Sequence, residues 1–283
     1  MESEIYTTSV PALLQEIPDA PYQLYIRGTL PDEAHSFLTV VGSRKYTPYG
    51  KQMCESLIRG LRGYPIVIVS GLALGIDGIA HEAALAAGIT TVAVPGSGLD
   101  DRVLYPATHR GLALRILKSD GALVSEFEPL WKPRPESFPQ RNRIMAGMSR
   151  AVLVIEATER SGTLITSRLA TEYNRDVFAV PGPAHAHTSR GPHMLIKRGA
   201  ALIERSEDIL EQLNITTKPV HTSVHENNLS GVEARVYALL EEPMPRDALV
   251  RALDLSTAEV SSVLASLELK HYIVERLGLV VRA

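Results

Sequence analysis

The sequence predicts an α/β fold, a doubly wound and mostly parallel sheet followed by a small second domain. Three observations carry this. Short apolar runs recur from Phe37 onward: FLTVV at 37, PIVIVS at 65, TTVAVPG at 90, GALVSEF at 121, AVLVIEA at 151 and DVFAVPG at 176. They are continuous rather than alternating, the pattern of strands covered on both faces. Between them, Tyr49 to Leu61, Ile76 to Ala87 and Thr163 to Asn174 repeat apolar residues at three and four, as crossover helices do. Beyond Leu213 this alternation stops and a polar stretch leads into a different pattern.

The first 36 residues hold several prolines and little periodicity, and are expected as an extended N-terminal lead-in packed on the sheet. Residues 37–213 then form the sheet domain, Rossmann-like in its strand and helix alternation. NITTKPVHTSVHENNLS, Asn214 to Ser230, is polar and aperiodic and is expected to be a linker. Residues 231–283 follow with three helical stretches, VEARVYALLE, RDALVRALD and STAEVSSVLASLELK. The closing HYIVERLGLVVRA suits a hairpin turning at Leu277 and Gly278, so the unit reads as a winged helix, with Ser256 and Glu259 as a capping box.

Composition narrows the classes. The chain has 283 residues, 45% hydrophobic and 22% charged, which excludes disordered and fibrous proteins. Lys and Arg total 29 against 32 Asp and Glu, a net charge of −3, so any nucleic-acid site must be a local basic patch. The single cysteine, Cys54, cannot form an internal disulfide and suits a small buried apolar position in a reducing compartment. No apolar run approaches the ~20 residues of a membrane span, and MESEIYTTSV lacks a basic leader. A cytoplasmic protein with no membrane partner is expected.

Ligands of doubly wound sheets sit at the carboxyl ends of the strands, so the chemistry is sought there. The first run ends in Gly42-Ser43-Arg44, where glycine admits close backbone approach and arginine offers a five-donor fork to phosphate. The same residues suit a tight turn with a solvated arginine. The second run ends in SGLALGID, placing Ser70, Gly71 and Asp77 at a strand-to-helix turn whose exposed amides favour negative charge. Its spacing matches neither dinucleotide nor Walker fingerprint, and no cofactor is expected. Lys132 to Arg150 carries five bases and one acid, a local balance of +4, with Trp131 and Phe138 beside the cations. Rings between bases suit single-stranded nucleic acid, although a solvated basic loop has the same composition. Ser161-Gly162-Thr163 ends the fifth run, as a helix cap or a phosphate turn. His185, His187 and His193 lie in one loop without a carboxylate or cysteine at ligand spacing, so no metal is expected.

Together, VVGSRKYTPYG, SGLALGID, VAVPGSGLDDRVLYPATHR, FPQRNRIMAGMS and SGTLITSRLATEYNRDVFAVPG closely resemble, in order, the DNA-processing protein A (DprA, Smf) family. The resemblance implies a recombination mediator without catalytic turnover. Such a protein binds single-stranded DNA through its Rossmann-like domain, forms a homodimer through the same domain, and helps load the RecA recombinase in natural transformation. It carries over Gly42, Ser43 and Arg44 as one phosphate turn, Ser70, Gly71 and Asp77 as a second, Phe138, Arg141, Asn142 and Arg143 as the basic signature, and Gly162 and Thr163 as the last turn. Thr163 stands where serine is common in the family, and His193 where asparagine is usual. The winged-helix stretch resembles that of some members; from Gly231 to Ala283 its six bases and eight acids give −2, a poor balance for clamping a duplex.

The rival from another class is a nucleotide phosphoribohydrolase of the lysine-decarboxylase-like type, on a similar scaffold. Its PGGxGTxxE signature needs a glutamate where this chain has Thr166. A third reading, a ligand-sensing winged-helix transcription regulator, is opposed by the acidic winged helix.

Overall fold

The computed structural model describes residues 4–32, 34–216, 230–240, 244–253, 255–270, 272–276 and 279–282. The chain divides into two compact units, Met1–Val220 and His221–Ala283.

The first unit is built on nine strands: β1 (Ile5–Thr8), β2 (Leu24–Gly28), β3 (Ser36–Val41), β4 (Ile66–Ser70), β5 (Thr91–Ala93), β6 (Ala122–Ser125), β7 (Ala151–Val154), β8 (Asp176–Ala179) and β9 (Ala201–Leu202). Their order is β1-β2-β6-β5-β4-β3-β7-β8-β9. Strands β3 to β9 pair in parallel, whereas β2 runs antiparallel to both β1 and β6. All six apolar runs are strands, as expected. The order winds outward from β3 through β4, β5 and β6, then returns to the other side of β3 at β7. That reversal splays the loops after β3 and β7 apart and opens a crevice between their carboxyl ends.

Successive strand residues point to opposite faces, and both faces are filled. Leu38 and Val40 of β3 and Ile66 and Ile68 of β4 join one core. Against it pack α2 (Pro48–Gly60), α3 (Ile76–Ala87) and α8 (Ser206–Gln212). Phe37, Val41, Val67 and Val69 join the other core, covered by α1 (Ala12–Gln15), α5 (Ser137–Met148), α6 (Thr163–Glu172) and α7 (Arg190–Lys197). A smaller cluster beneath α4 (Arg110–Lys118) holds Leu112 and Ile116 against Leu123 of β6. Helix α2 starts as its sequence suggests, with Thr47 accepting from the Gly50 amide and Pro48 in the first turn. Cys54 is buried on its inner face, in the apolar place expected of it.

Two expectations are corrected. The opening segment is not a lead-in lying on the sheet, because β1 and β2 are two of its strands. Leu24 and Ile26 alternate into the core while Arg27, on the other face, binds Asp101 at 2.6 Å, so β2 carries a strand pattern too short to stand out among prolines. The basic stretch after Trp131 is not a loop throughout, because Ser137 onward is helix α5. Pro139 falls in its first turn, where a missing amide costs no helical hydrogen bond.

Of the linker expected over Asn214 to Ser230, residues 217–229 lie outside the described residues. Ile215 packs against the first core, and the Ser230 side chain caps the next helix. The second unit holds α9 (Gly231–Leu239), β10 (Met244–Pro245), α10 (Arg246–Leu253), α11 (Thr257–Leu269), β11 (Ile273–Arg276) and β12 (Leu279–Arg282). Strand β12 pairs antiparallel with both β10 and β11, giving a winged helix. The expected turn residues Leu277 and Gly278 lie outside the described residues. Ser256 and Glu259 form the expected capping box on α11. Among the described residues no helix is long and apolar enough to cross a membrane.

His81 of α3 is buried, with Nδ1 2.7 Å from the Thr91 hydroxyl, which itself donates to the Ile68 carbonyl at 2.8 Å. Thr91 therefore accepts from Nδ1. Burial pushes the His81 imidazole down to about 3. Because the folded value lies below the unfolded one, this contribution to stability is complete above ~6.5 and lost as pH falls toward it and below. Between about pH 7 and pH 5 the wild type should lose about 2 kcal/mol more than His81→Asn, as read by urea unfolding at both pH values.

Candidate nucleic-acid interface

The crevice between β3 and β7 opens into a cavity of about 620 Å³. Five segments wall it: the loop after β3, the segment from Ala73 into α3, α5 from Phe138 to Met145, the segment from Thr158 into α6, and Thr188 after β8.

The first two segments are locked together by glycine. Gly75 has a φ of 86°, and a Cβ there would meet the Ser43 carbonyl at 2.3 Å; Ile76 donates its amide to that carbonyl at 3.2 Å. Gly42 touches Ile76 in the same way, so the backbone passes closely enough to form the cavity floor. Ser43 folds its hydroxyl onto its own loop, donating to the Lys45 carbonyl at 2.8 Å and accepting from the Lys45 amide at 3.0 Å. Arg44 and Lys45 are left exposed at the mouth.

Helix α5 supplies a stripe. Phe138, Arg141, Asn142 and Met145 recur at three and four, so they share one face, and all four line the cavity. Phe138 holds the mouth: Arg44 lies over its ring at 5.7 Å and Tyr105 meets it at 5.7 Å with a 56° tilt. Arg141 is buried. Its Nη1 donates to the Gly71 and Val94 carbonyls, and Nε donates to Asn142 at 3.1 Å. Burial lowers its guanidinium to about 10, against the opposing pull of Asp77, so it stays charged at neutral pH. Asp77, in the first turn of α3, is pushed up by burial and pulled back by Arg141 and by the Ala73 and Gly71 amides. At the α6 wall, Thr163 donates to the Gly42 carbonyl at 3.1 Å and accepts from Ser161 at 3.0 Å, tying β3 to the α6 turn, while Gly162 lies exposed beside it.

The structure thus gathers Gly42, Ser43, Arg44, Asp77, Phe138, Arg141, Asn142, Gly162 and Thr163 around one cavity. It sets three of the expected residues apart. Ser70 is buried and donates to the Val40 carbonyl at 2.6 Å, and Gly71 gives its carbonyl to Arg141, so both brace the wall from behind. Arg143 lies two positions past Arg141, roughly 200° round the helix. It leaves the cavity altogether and pairs with Glu126 and with the Asp19 carbonyl, the latter at 2.6 Å.

Sequence reasoning missed Lys45, although it adjoins Arg44, and it missed Glu156. That carboxylate is 3% exposed at the end of β7 and accepts from the Thr47 amide at 2.9 Å, the Thr47 hydroxyl at 2.6 Å and the Thr188 hydroxyl at 3.0 Å. An acid closing the apolar run AVLVIEA was the available signal. Thr166, where the rival reading needs glutamate, is buried in the wall. The Ser43 and Thr163 hydroxyls are bonded to carbonyls rather than to a base. The cavity is furnished to hold an anion and a ring.

The fold and site define a Rossmann-like protein with a cationic cavity at its topological switch point. Comparison with known proteins gives the family. Residues 4–214 match DNA recombination-mediator protein A and residues 222–278 match the DprA winged helix domain. Protein Smf of Escherichia coli is 46% identical over 217 residues, covering 75% of this chain and 55% of that protein. DNA processing protein DprA of Streptococcus pneumoniae is 45% identical over 199 residues, covering 70% of this chain and 69% of that one. The chain therefore spans little more than half of the first relative. Among solved structures, the DprA of S. pneumoniae superposes with a TM-score of 0.69 at 42% identity, covering 74% of each chain. The DNA processing protein A of Helicobacter pylori, described for its single-stranded DNA binding mode, gives 0.65 at 30% identity, covering 76% of this chain and 98% of that one. The chain belongs to the DNA recombination-mediator protein A (DprA/Smf) family.

The arginines separate by role. Arg143→Ala strands the Glu126 carboxylate, which is 11% exposed, and should cost about 3 kcal/mol in chemical denaturation. Arg44→Ala, at an exposed position, should stay within about 0.5 kcal/mol of wild type.

Proposed function

We propose that this chain binds single-stranded DNA at the cavity mouth, as a recombination mediator without catalytic turnover that helps load a RecA-type recombinase during natural transformation. The observation that carries the reading is Arg44, an exposed guanidinium over the Phe138 ring at the open end of the switch-point crevice. Arg44 and Lys45 meet phosphates and Phe138 stacks on a base; the Thr163 turn lends polar groups near the backbone. These groups do not discriminate among bases. Support comes from the family description as a recombination mediator and from the H. pylori relative's single-stranded DNA binding. The protein acts in the cytoplasm, as a homodimer through its Rossmann-like domain, and uses neither metal nor dinucleotide. The hydroxyls bonded to carbonyls, and Thr166 in place of glutamate, count against the phosphoribohydrolase reading.

Fluorescence anisotropy with labelled oligonucleotides tests this. Affinity should fall with salt at a log-log slope of ~0.7 per phosphate contacted. Arg44→Ala should weaken all sequences alike, by about tenfold, and reduce that slope. Unaltered affinity and slope would remove the site, and turnover of a nucleotide monophosphate would favour the enzyme. The same titration in excess chelator should give the same affinity.

The second unit is proposed to be dispensable for this binding and for dimerisation, serving instead as a docking or regulatory module. Since Ile215 closes the first core, a chain ending at Thr216 should keep its affinity within about threefold, below ~1 kcal/mol, and remain dimeric by light scattering.

A further inference from the structure

The loop after β5, Gly96-Ser97-Gly98, is wholly buried and backs two aromatic segments. A Cβ at Gly96 would meet the Phe138 ring at 2.6 Å. Gly98 donates its amide to the Trp131 carbonyl at 2.9 Å, and a Cβ there would strike the Glu128 and Pro129 carbonyls at 2.3 Å. Two residues of backbone span at most about 7 Å, so one loop fixes Phe138 in the cavity wall and the Trp131 segment just beyond it.

Trp131 is the only tryptophan of the chain and is 39% exposed. Its underside is fixed: Phe127, itself buried, stacks against it at 5.6 Å with the rings 11° from parallel. The Arg134 guanidinium also lies over the ring, 5.0 Å from its centre. Among the described residues neither Arg134 nor the adjacent exposed Lys132 has a carboxylate partner. An exposed cation on an indole is held less strongly than a stacked nucleobase, so a base can take the place of the guanidinium. The displaced Arg134 then has a phosphate within its reach, as does Lys132.

We propose that Trp131, with Arg134, is a second base-stacking platform, taking a nucleotide of the strand as it leaves the cavity past Phe138. This rests on the reading of the cavity as a single-stranded DNA site and extends its path. Two cations within three residues of the ring, without a carboxylate partner among the described residues and joined through Gly96 to Gly98 to the cationic cavity, favour a phosphate-bearing strand over a protein partner.

Because Trp131 is the sole tryptophan, its emission reports this position alone in the full chain. Titration with an oligothymidylate of roughly 20 nucleotides should quench that emission while the anisotropy of a labelled copy follows binding. Trp131→Ala should weaken binding about tenfold, and Trp131→Phe, which keeps a ring on Phe127, should stay within about threefold. Unchanged emission at saturation overturns the platform, as does an alanine variant that binds as tightly as wild type or a phenylalanine variant no better than alanine. If anisotropy detects no binding by the wild type, the single-stranded DNA reading itself falls, and the platform with it.

Discussion

The buried guanidinium of Arg141 is the constraint on which the cavity depends. It reaches from α5 to the carbonyls of Gly71, after β4, and Val94, after β5, with Asp77 of α3 opposite. A buried cation is tolerated only where its donors and charge are matched, and here carbonyls and a carboxylate do both. The match demands glycine at 71, where a Cβ would lie 2.2 Å from Nη1. With Arg141 fixed, the register of α5 is fixed, and Phe138, Asn142 and Met145 fall on the cavity face by helical geometry.

The same accounting explains how a chain of net charge −3 presents a cationic mouth. Several of its arginines are consumed in holding the N-terminal segment to the sheet. Arg27 pairs with Asp101, Arg143 with Glu126 and the Asp19 carbonyl, and Arg175 with Glu16 at 2.9 Å and the Leu13 carbonyl at 2.6 Å. Each is largely buried with its partner close, so its field at the surface is spent. Arg44 and Lys45 stay exposed at the mouth, although Arg44 also acts on Asp77. Cations count toward ligand binding where the fold leaves them unpaired, not where the sequence is densest in them.

This is also where the sequence was legible and where it was not. Continuous apolar runs announced six strands, because burial on both faces leaves no other composition open to them. The turn residues Gly42 to Arg44, Asp77 and Gly162 to Thr163 were legible because strand ends are where a doubly wound sheet gathers its ligands. Strands β1 and β2 were hidden: β1 has an edge pattern with exposed middle residues, and β2 is short and carries an arginine whose partner lies far along the chain. Arg143 was misplaced for a single reason. Read as a loop, the basic stretch had no face; as helix α5, its spacing alone separates Arg143 from Phe138, Arg141 and Asn142. Ser70 and Gly71 lay correctly beside the site but behind its wall, a distinction that depends on contacts with Val40 and Arg141 rather than on any local pattern.

The winged-helix unit also commits a base internally. Its third helix, α11, has no basic residue within Thr257–Leu269, and Lys270 follows at its C-cap. The Lys270 ammonium lies 2.7 and 2.9 Å from the two carboxylate oxygens of Glu233, which also accepts from Ser266 at 2.7 Å. Lys270, Ser266 and the Ser230 amide hold the Glu233 carboxyl down to about 2, so the pair persists across the physiological range. The base closing the helix that enters the groove in duplex-binding winged helices is thus engaged with α9. With a balance of −2 and the base at the end of α11 committed to Glu233, that helix has little positive charge to offer a duplex.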